Sequence, residues 1–180
     1  TVYTTKIFNN MLYVGTNQGL YYKPKNLNVP LKPMVGLDGQ VWSLQKINNT
    51  LVCGHDKGAF EIKGTTANPL YTGVGVWLFR ELNDSQIIAG TYNGLHLFEK
   101  GVNSLRHLDR IQDFSMSSRY FEVLNENEIL VSHEYKGFFK LTLSDNNEKA
   151  LSVAQIPNVP TSLYSSMTSF QDDIYYDSNQ

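Results

Sequence analysis

Cysteine is nearly absent from this chain of 180 residues. Cys53 stands alone, which excludes an internal disulfide and any cysteine-based metal site. No apolar run approaches the ~20 residues that a membrane-crossing helix needs. Charge of one sign does not accumulate either. The formal net charge is −2, without the basic footprint of a protein that binds nucleic acid or anionic lipid. No charged and apolar leader opens the chain at Thr1, so no signal peptide is expected in it. Because it starts inside a strand-like run and stops within a repeat, it is expected to be an excerpt of something longer. Recognisable catalytic spacings are missing: there is no HExxH, G-x-S-x-G, Walker loop or dinucleotide fingerprint. Helix signals are poor throughout. Even SRYFEVLNENEI falls into register with strand-and-turn segments elsewhere.

What is present is a repeat. Four times a short apolar run breaks into a turn that closes on glycine: LYVGTNQGLYY, LVCGHDKGAFEI, IIAGTYNGLHLF and ILVSHEYKGFFKL. An aromatic precedes each run (Tyr3, Trp42, Trp77 and Phe121), and Gly15, Gly54, Gly90 and His133 are read as equivalent points. Spacings near 40 residues, built of strands and turns, are the mark of a blade-type β-architecture. With 41% hydrophobic residues, 12% aromatics and eleven tyrosines, the composition suits strands and a folded core. The expected fold is therefore all-β: a β-propeller of four blades plus the start of a fifth, an arc of a larger ring. The repeats are placed at 2–39, 40–74, 75–118 and 119–161, with an incomplete copy over 162–180 that begins at Tyr164.

One repeat carries its own turn chemistry. VWSLQKI ends at Asn48-Asn49, TLVCG follows as a second strand, and the HDKG turn leads into AFEIK. A short, irregular outer strand is expected before Tyr71. The closing glycines, Gly19, Gly58, Gly94 and Gly137, suit a hairpin that needs positive φ. The leading glycines, Gly15, Gly54 and Gly90, suit a close approach of backbones. First strands such as VGVWLF and RYFEVL are expected to be buried on both faces, with Trp42, Trp77 and Phe121 as wedges between blades.

The G-T-x-x-G-L turn at Gly15-Thr16 with Gly19-Leu20, and at Gly90-Thr91 with Gly94-Leu95, resembles the two-component regulator propeller repeat. ILVSHEYKGFFKLTLSDNNEKA looks like the terminal blades of that family's membrane-anchored sensors. The family's usual Asp-x-x-Gly turn is Asn-Asn, Asn-Asp or Asn-Glu-Asn here, and its second-strand tryptophan is Tyr13, Val52, Ile88 or Val131. The resemblance implies a periplasmic sensor domain. It would belong to a hybrid histidine kinase or a helix-turn-helix regulator with a triple-tyrosine domain.

Function is expected on the face that gathers the glycine-closed hairpins and the loops leading into each first strand. The candidate ligand-binding residues are His55, Asp56, Tyr92, Asn93, Arg119, His133, Glu134, Tyr135 and Lys136. Asn17, Gln18, Asp38, Lys57, Arg110 and Asp113 stand beside them. Exposed rings among amide, carboxylate and guanidinium groups suit a small polar ligand or an oligosaccharide. For each residue the plainer reading is a solvent-exposed hairpin tip. The 145–148 run DNNE lacks calcium-loop spacing and reads as a turn. No cofactor or metal is expected, and no nucleic acid by this segment. A membrane enters only through sequence outside it, and the full-length protein is a candidate homodimer. Two alternatives stand beside the sensor: a propeller enzyme resembling streptogramin lyase, using His133 and Glu134, and an intracellular protein-interaction propeller.

Overall fold

The computed structural model describes residues 1–178 apart from 103, 161, 164 and 172. Among the described residues every regular element is a strand. The expected start of the fifth copy at Tyr164 lies outside the described residues.

Four antiparallel meanders follow one another along the chain. The first has β1 (Val2–Phe8), β2 (Met11–Thr16), β3 (Leu20–Pro24) and the two-residue β4 (Lys32–Pro33); the second has β5 (Val41–Ile47), β6 (Thr50–His55), β7 (Gly58–Lys63) and β8 (Thr66–Thr72). The third has β9 (Val76–Glu81), β10 (Gln86–Thr91), β11 (Gly94–Lys100) and β12 (Leu105–Arg110). The fourth has β13 (Tyr120–Asn125), β14 (Glu128–His133), β15 (Gly137–Leu143) and β16 (Ala150–Ile156), and a hairpin of β17 (Ser166–Phe170) and β18 (Asp173–Asp177) follows. In each meander the strands pair in sequence order.

The chain divides into two compact units: Thr1–Phe79 with Lys100–His107, and Arg80–Glu99 with Leu108 onward. In the first unit Tyr13, Leu20, Met34, Leu37, Val41, Leu44, Leu51, Cys53, Phe60 and Ile62 form one apolar cluster. Burial pushes the Cys53 thiol far up, so it packs as an inert small hydrophobe. In the second unit Ile87, Ile88, Leu95, Ile111, Phe121, Ile129, Val131 and Leu141 are wholly buried.

Several sequence expectations change. The strands buried on both faces are the second and third of a sheet, such as β6 and β7, which lie at its centre, away from the solvent-facing edge strands. First strands such as β9 and β13 are only partly covered. The outer β8 is seven residues long rather than short, and it is irregular as expected, its pairing with β7 shifting register between Ala59 and Phe60. Register also moves the repeat in its fourth copy. Thr4 pairs with Gly15, Ser43 with Gly54 and Tyr120 with Ser132, so the counterpart of the leading glycines is Ser132, not His133. By the same shift Leu130, rather than Val131, stands with Tyr13 and Val52. Phe121 then corresponds to Leu44, and the place of Trp42 is taken by Arg119. Phe121 is a core residue. In the first unit Tyr3 stacks on Trp42 at 5.1 Å, and Trp42 meets Trp77 at 4.6 Å, joining three successive first strands through their rings.

The Asn-Asn turn has a direct cause. Asn9 and Asn10 sit at φ 46° and 62°, the two left-handed positions of a tight hairpin between Phe8 and Met11. Asparagine tolerates that region better than other side chains.

Candidate functional site

The glycine-closed hairpins share one construction. Their first residues, Thr16, His55, Thr91 and His133, precede Gly19, Gly58, Gly94 and Gly137, all at positive φ. Thr16 Oγ1 accepts the Gln18 and Gly19 amides at 3.0 and 3.1 Å and donates to the Gly19 carbonyl at 2.9 Å. Thr91 Oγ1 accepts the Asn93 amide at 3.2 Å and donates to the Gly94 carbonyl at 2.9 Å. In the other two copies an imidazole does the accepting. His55 Nδ1 takes the Lys57 amide at 3.0 Å, and His133 Nδ1 takes the Tyr135 and Lys136 amides at 3.2 and 3.3 Å. Histidine thus replaces threonine as the acceptor that closes the turn.

This assigns His55 and His133 a structural job. His55 is fully buried, not at a solvent-facing tip as the sequence suggested. Burial is the main influence holding its pKa below the ordinary histidine value, against the pull of Asp56 Oδ1 at 2.7 Å from Nδ1. His133 is also lowered, first by burial and then by Lys136, with Glu134 opposing. The Lys57 amide and Asp56 demand opposite roles of Nδ1: an acceptor when the ring is neutral, a donor when it is protonated. Protonation therefore costs a turn its cap. Both folded pKa values lie below the unfolded ~6.5, so the unfolded chain binds more protons and stability falls as pH drops below ~6.5. Thermal midpoints measured from pH 8 to 5 are expected to show that loss setting in as pH falls through ~6.5. A His55→Thr, His133→Thr double variant keeps an acceptor at each turn and is expected to flatten it. An unchanged slope in the variant would refute the capping role.

In each unit the loops leading into first strands run against the hairpins. In the first, the Gly39 amide donates to the Gln18 carbonyl at 3.4 Å and the Asp56 amide to the Gln40 carbonyl at 3.0 Å. Asn17, Gln18, Asp38 and Lys57 are exposed there, with Asp56 half-buried. In the second unit the Ser118 amide donates to the Thr91 carbonyl at 2.9 Å, and Arg110 Nη1 to the Phe114 carbonyl at 2.7 Å. Asn93 Oδ1 lies 3.0 Å from His96 Nε2, which fixes that side chain to its own hairpin. Glu134 Oε1 stands 3.6 Å from Arg119 Nη1, and the Arg119 guanidinium lies over the Tyr120 ring at 5.2 Å. Tyr92 and Tyr135 are exposed, at 41% and 74%. Lys136 is exposed beside Tyr135. Asp113 is drawn aside by Lys149 at 3.2 Å.

Among the described residues no group of three or more histidine, cysteine or acidic side chains is placed to hold a metal. Sequence reading missed two features. One is a row of polar residues on the first strands, Gln45, Arg80 and Glu122. Gln45 exchanges hydrogen bonds of 2.9 and 2.8 Å with the Phe79 backbone, and Arg80 grips Glu122 through two bonds of 2.7 Å. The signal was a polar residue three places after Trp42, Trp77 and Arg119. The other is a polar cavity framed by the asparagine turns.

No protein-family model matches the chain, and no curated protein sequence does. Solved structures do. The N-terminal domain of Nup159 superimposes with a TM-score of 0.55 at 13% identity over 97% of this chain. A chain from a complex of S. cerevisiae Dbp5 with Nup159, Gle1, IP6 and ADP gives 0.52 at 15% over 93%. The C-terminal WD40 domain of Sif2 gives 0.54 at 12% over 88%. The chain spans about half the length of each: 56%, 53% and 48%. At such identities the likeness establishes the fold, a β-propeller, as the repeat implied.

Proposed function

We propose that this chain is a non-catalytic recognition segment that binds its ligand on the hairpin face of the second unit. The observation that carries the reading is a division of labour in that face. Its histidine is committed through Nδ1 to closing a turn, while Tyr135, Tyr92, Arg119 and Lys136 are held out on loops braced by backbone hydrogen bonds. Rings beside a guanidinium and a carboxylate suit an oligosaccharide, whose C–H faces stack and whose hydroxyls hydrogen-bond. The wider role we assign is sensing: a periplasmic part of a bacterial membrane-anchored regulator, passing the event on through a homodimer. That role is supported by the sequence resemblance of the Gly90-Thr91 turn and the fourth repeat alone.

The enzymatic alternative loses ground on geometry. Glu134 is directed to Arg119, and His133 Nδ1 already takes two amides, so the pair offers no base oriented by an acid. An oligosaccharide array, followed by titration calorimetry of its hits, tests the proposal. Tyr135→Ala and Arg119→Ala are each expected to weaken binding about tenfold or more with an unchanged thermal midpoint. An array without hits, or hits indifferent to both substitutions, would remove the glycan reading and favour a protein partner.

A further inference from the structure

The second unit holds a cavity of about 700 Å³ away from the hairpin face, framed by the β9–β10, β13–β14 and β15–β16 turns. Its lining is unusual in charge. Glu126, Asp145 and Glu148 contribute three carboxylates, the remaining lining residues are asparagines, a glutamine and a serine, and no lysine or arginine lines it. No aromatic ring lines it either, so it lacks the stacking surface of a sugar site.

Asn147 gives the cavity its direction. It is only 5% exposed and held at φ 63°. Its Nδ2 donates to Gln86 Oε1 at 2.8 Å, and that oxygen also accepts Asn83 Nδ2 at 3.1 Å. The carboxamide is thereby oriented, and its buried Oδ1 accepts no hydrogen bond from the protein. A buried carbonyl oxygen left so costs stability, so the site favours an occupant that donates.

The first unit sets a cation beside a buried oxygen group of this kind. Between the corresponding turns, at Asn9, Asn49-Thr50 and Lys63-Gly64, lies a smaller cavity of about 300 Å³. Buried Glu61 lines it, with one carboxylate oxygen unpartnered and the other 2.8 Å from the ammonium of Lys63. There the chain supplies its own cation. In the fourth sheet the register position of Lys63 is Thr142, and Lys140, at the position of Glu61, is held by Glu128 at 2.5 Å and does not line the cavity.

We propose that the larger cavity binds a cationic, multi-donor group, a guanidinium or primary ammonium. Two sources share that chemistry: an arginine side chain presented by a polypeptide, and a free polyamine. The three carboxylates attract the charge, and Asn147 Oδ1 receives one of its N–H groups after a small movement of the 145–148 turn. Such sites discriminate by donor count and geometry as well as by charge.

Titration of the whole chain with N-acetyl-arginine amide and with spermidine, read by calorimetry and by amide chemical shifts, tests this. Binding is expected in the millimolar range or tighter for at least one probe, weakened by added salt, with shifts centred on Asn147 and Gln86. Asp145→Asn and Glu148→Gln, both on an exposed turn, are expected to weaken it about tenfold together, while Asn147→Asp strengthens it. Preference for the arginine amide identifies a polypeptide source, and preference for spermidine a polyamine. Failure of both probes, binding indifferent to all three substitutions, or a response to calcium alone would overturn the proposal. Hairpin-face variants such as Tyr135→Ala are expected to leave this binding intact, so the two sites fail or stand separately.

Discussion

Gly90→Ala is expected to destabilise the protein by about 3 kcal/mol or more, enough to deplete the folded state of a marginally stable domain. The cause is space, not backbone strain. A Cβ on Gly90 would press into the Ser118 carbonyl oxygen and lie 2.7 and 2.9 Å from Cε1 and Cδ1 of Phe121. Neither neighbour is free to yield. Ser118 is tied through its amide to the Thr91 carbonyl, and Phe121 is wholly buried. The same close approach recurs in the first unit, where a Cβ on Gly54 would lie 2.7 Å from the Val76 carbonyl oxygen. The fourth sheet supplies the control. Its equivalent residue, Ser132, already carries a Cβ, and its buried Oγ has no hydrogen-bond partner. Ser132→Gly removes an unsatisfied hydroxyl while adding backbone freedom, two opposed effects of about 1 kcal/mol or less. Urea denaturation of the two variants is expected to separate them clearly. Equal midpoints would mean that the leading glycines do not mark the contact between one sheet and the next first strand.

The difference between Gly90 and Ser132 also shows what the sequence made legible. A period near 40 residues, closing glycines and strand-rich composition were enough for the fold, because hairpin geometry restricts which residues can stand at positive φ. Fine register was not legible in the fourth copy. Phe121 and His133 look like the aromatic and glycine of other repeats, yet pairing shifts the equivalence to Arg119 and Ser132. Only the ladder fixes that, since a one-residue slip leaves composition unchanged while turning side chains to the other face. The candidate face was partly legible. Loop and hairpin adjacency follows from strand order, but the burial of His55 depends on the loop through Leu37 and Gln40 closing over it. The polar cavity was hidden for a different reason. Asn83, Gln86 and Asn147 lie far apart in sequence, and each alone reads as an ordinary turn or strand-end residue.

The pair formed by Arg80 and Glu122 is expected to give the second large effect. Its two parallel hydrogen bonds of 2.7 Å join the first strand of the third sheet to that of the fourth, and the Glu122 side chain is only 2% exposed. Arg80→Ala leaves a buried carboxylate without its counter-charge, for which a loss of about 3–5 kcal/mol is expected. Glu122→Gln preserves shape but weakens the bidentate grip, and is expected to cost less. The decisive variant is the double replacement Arg80→Met, Glu122→Leu. If the pair acts mainly by satisfying itself, removing both charges restores most of the stability lost in the single variants, because the desolvation cost disappears with them. A double-mutant cycle of unfolding free energies measures this, with a coupling of several kcal/mol expected between the two sites. Additive losses would show that each side chain acts through separate neighbours. Gln45 indicates why coupling is the better expectation. At the same register position in the second sheet it meets the Phe79 backbone with one donor and one acceptor, so the position is reserved for a side chain that links consecutive first strands. In the third sheet the link is ionic, and an ionic link fails most severely when only one half is removed.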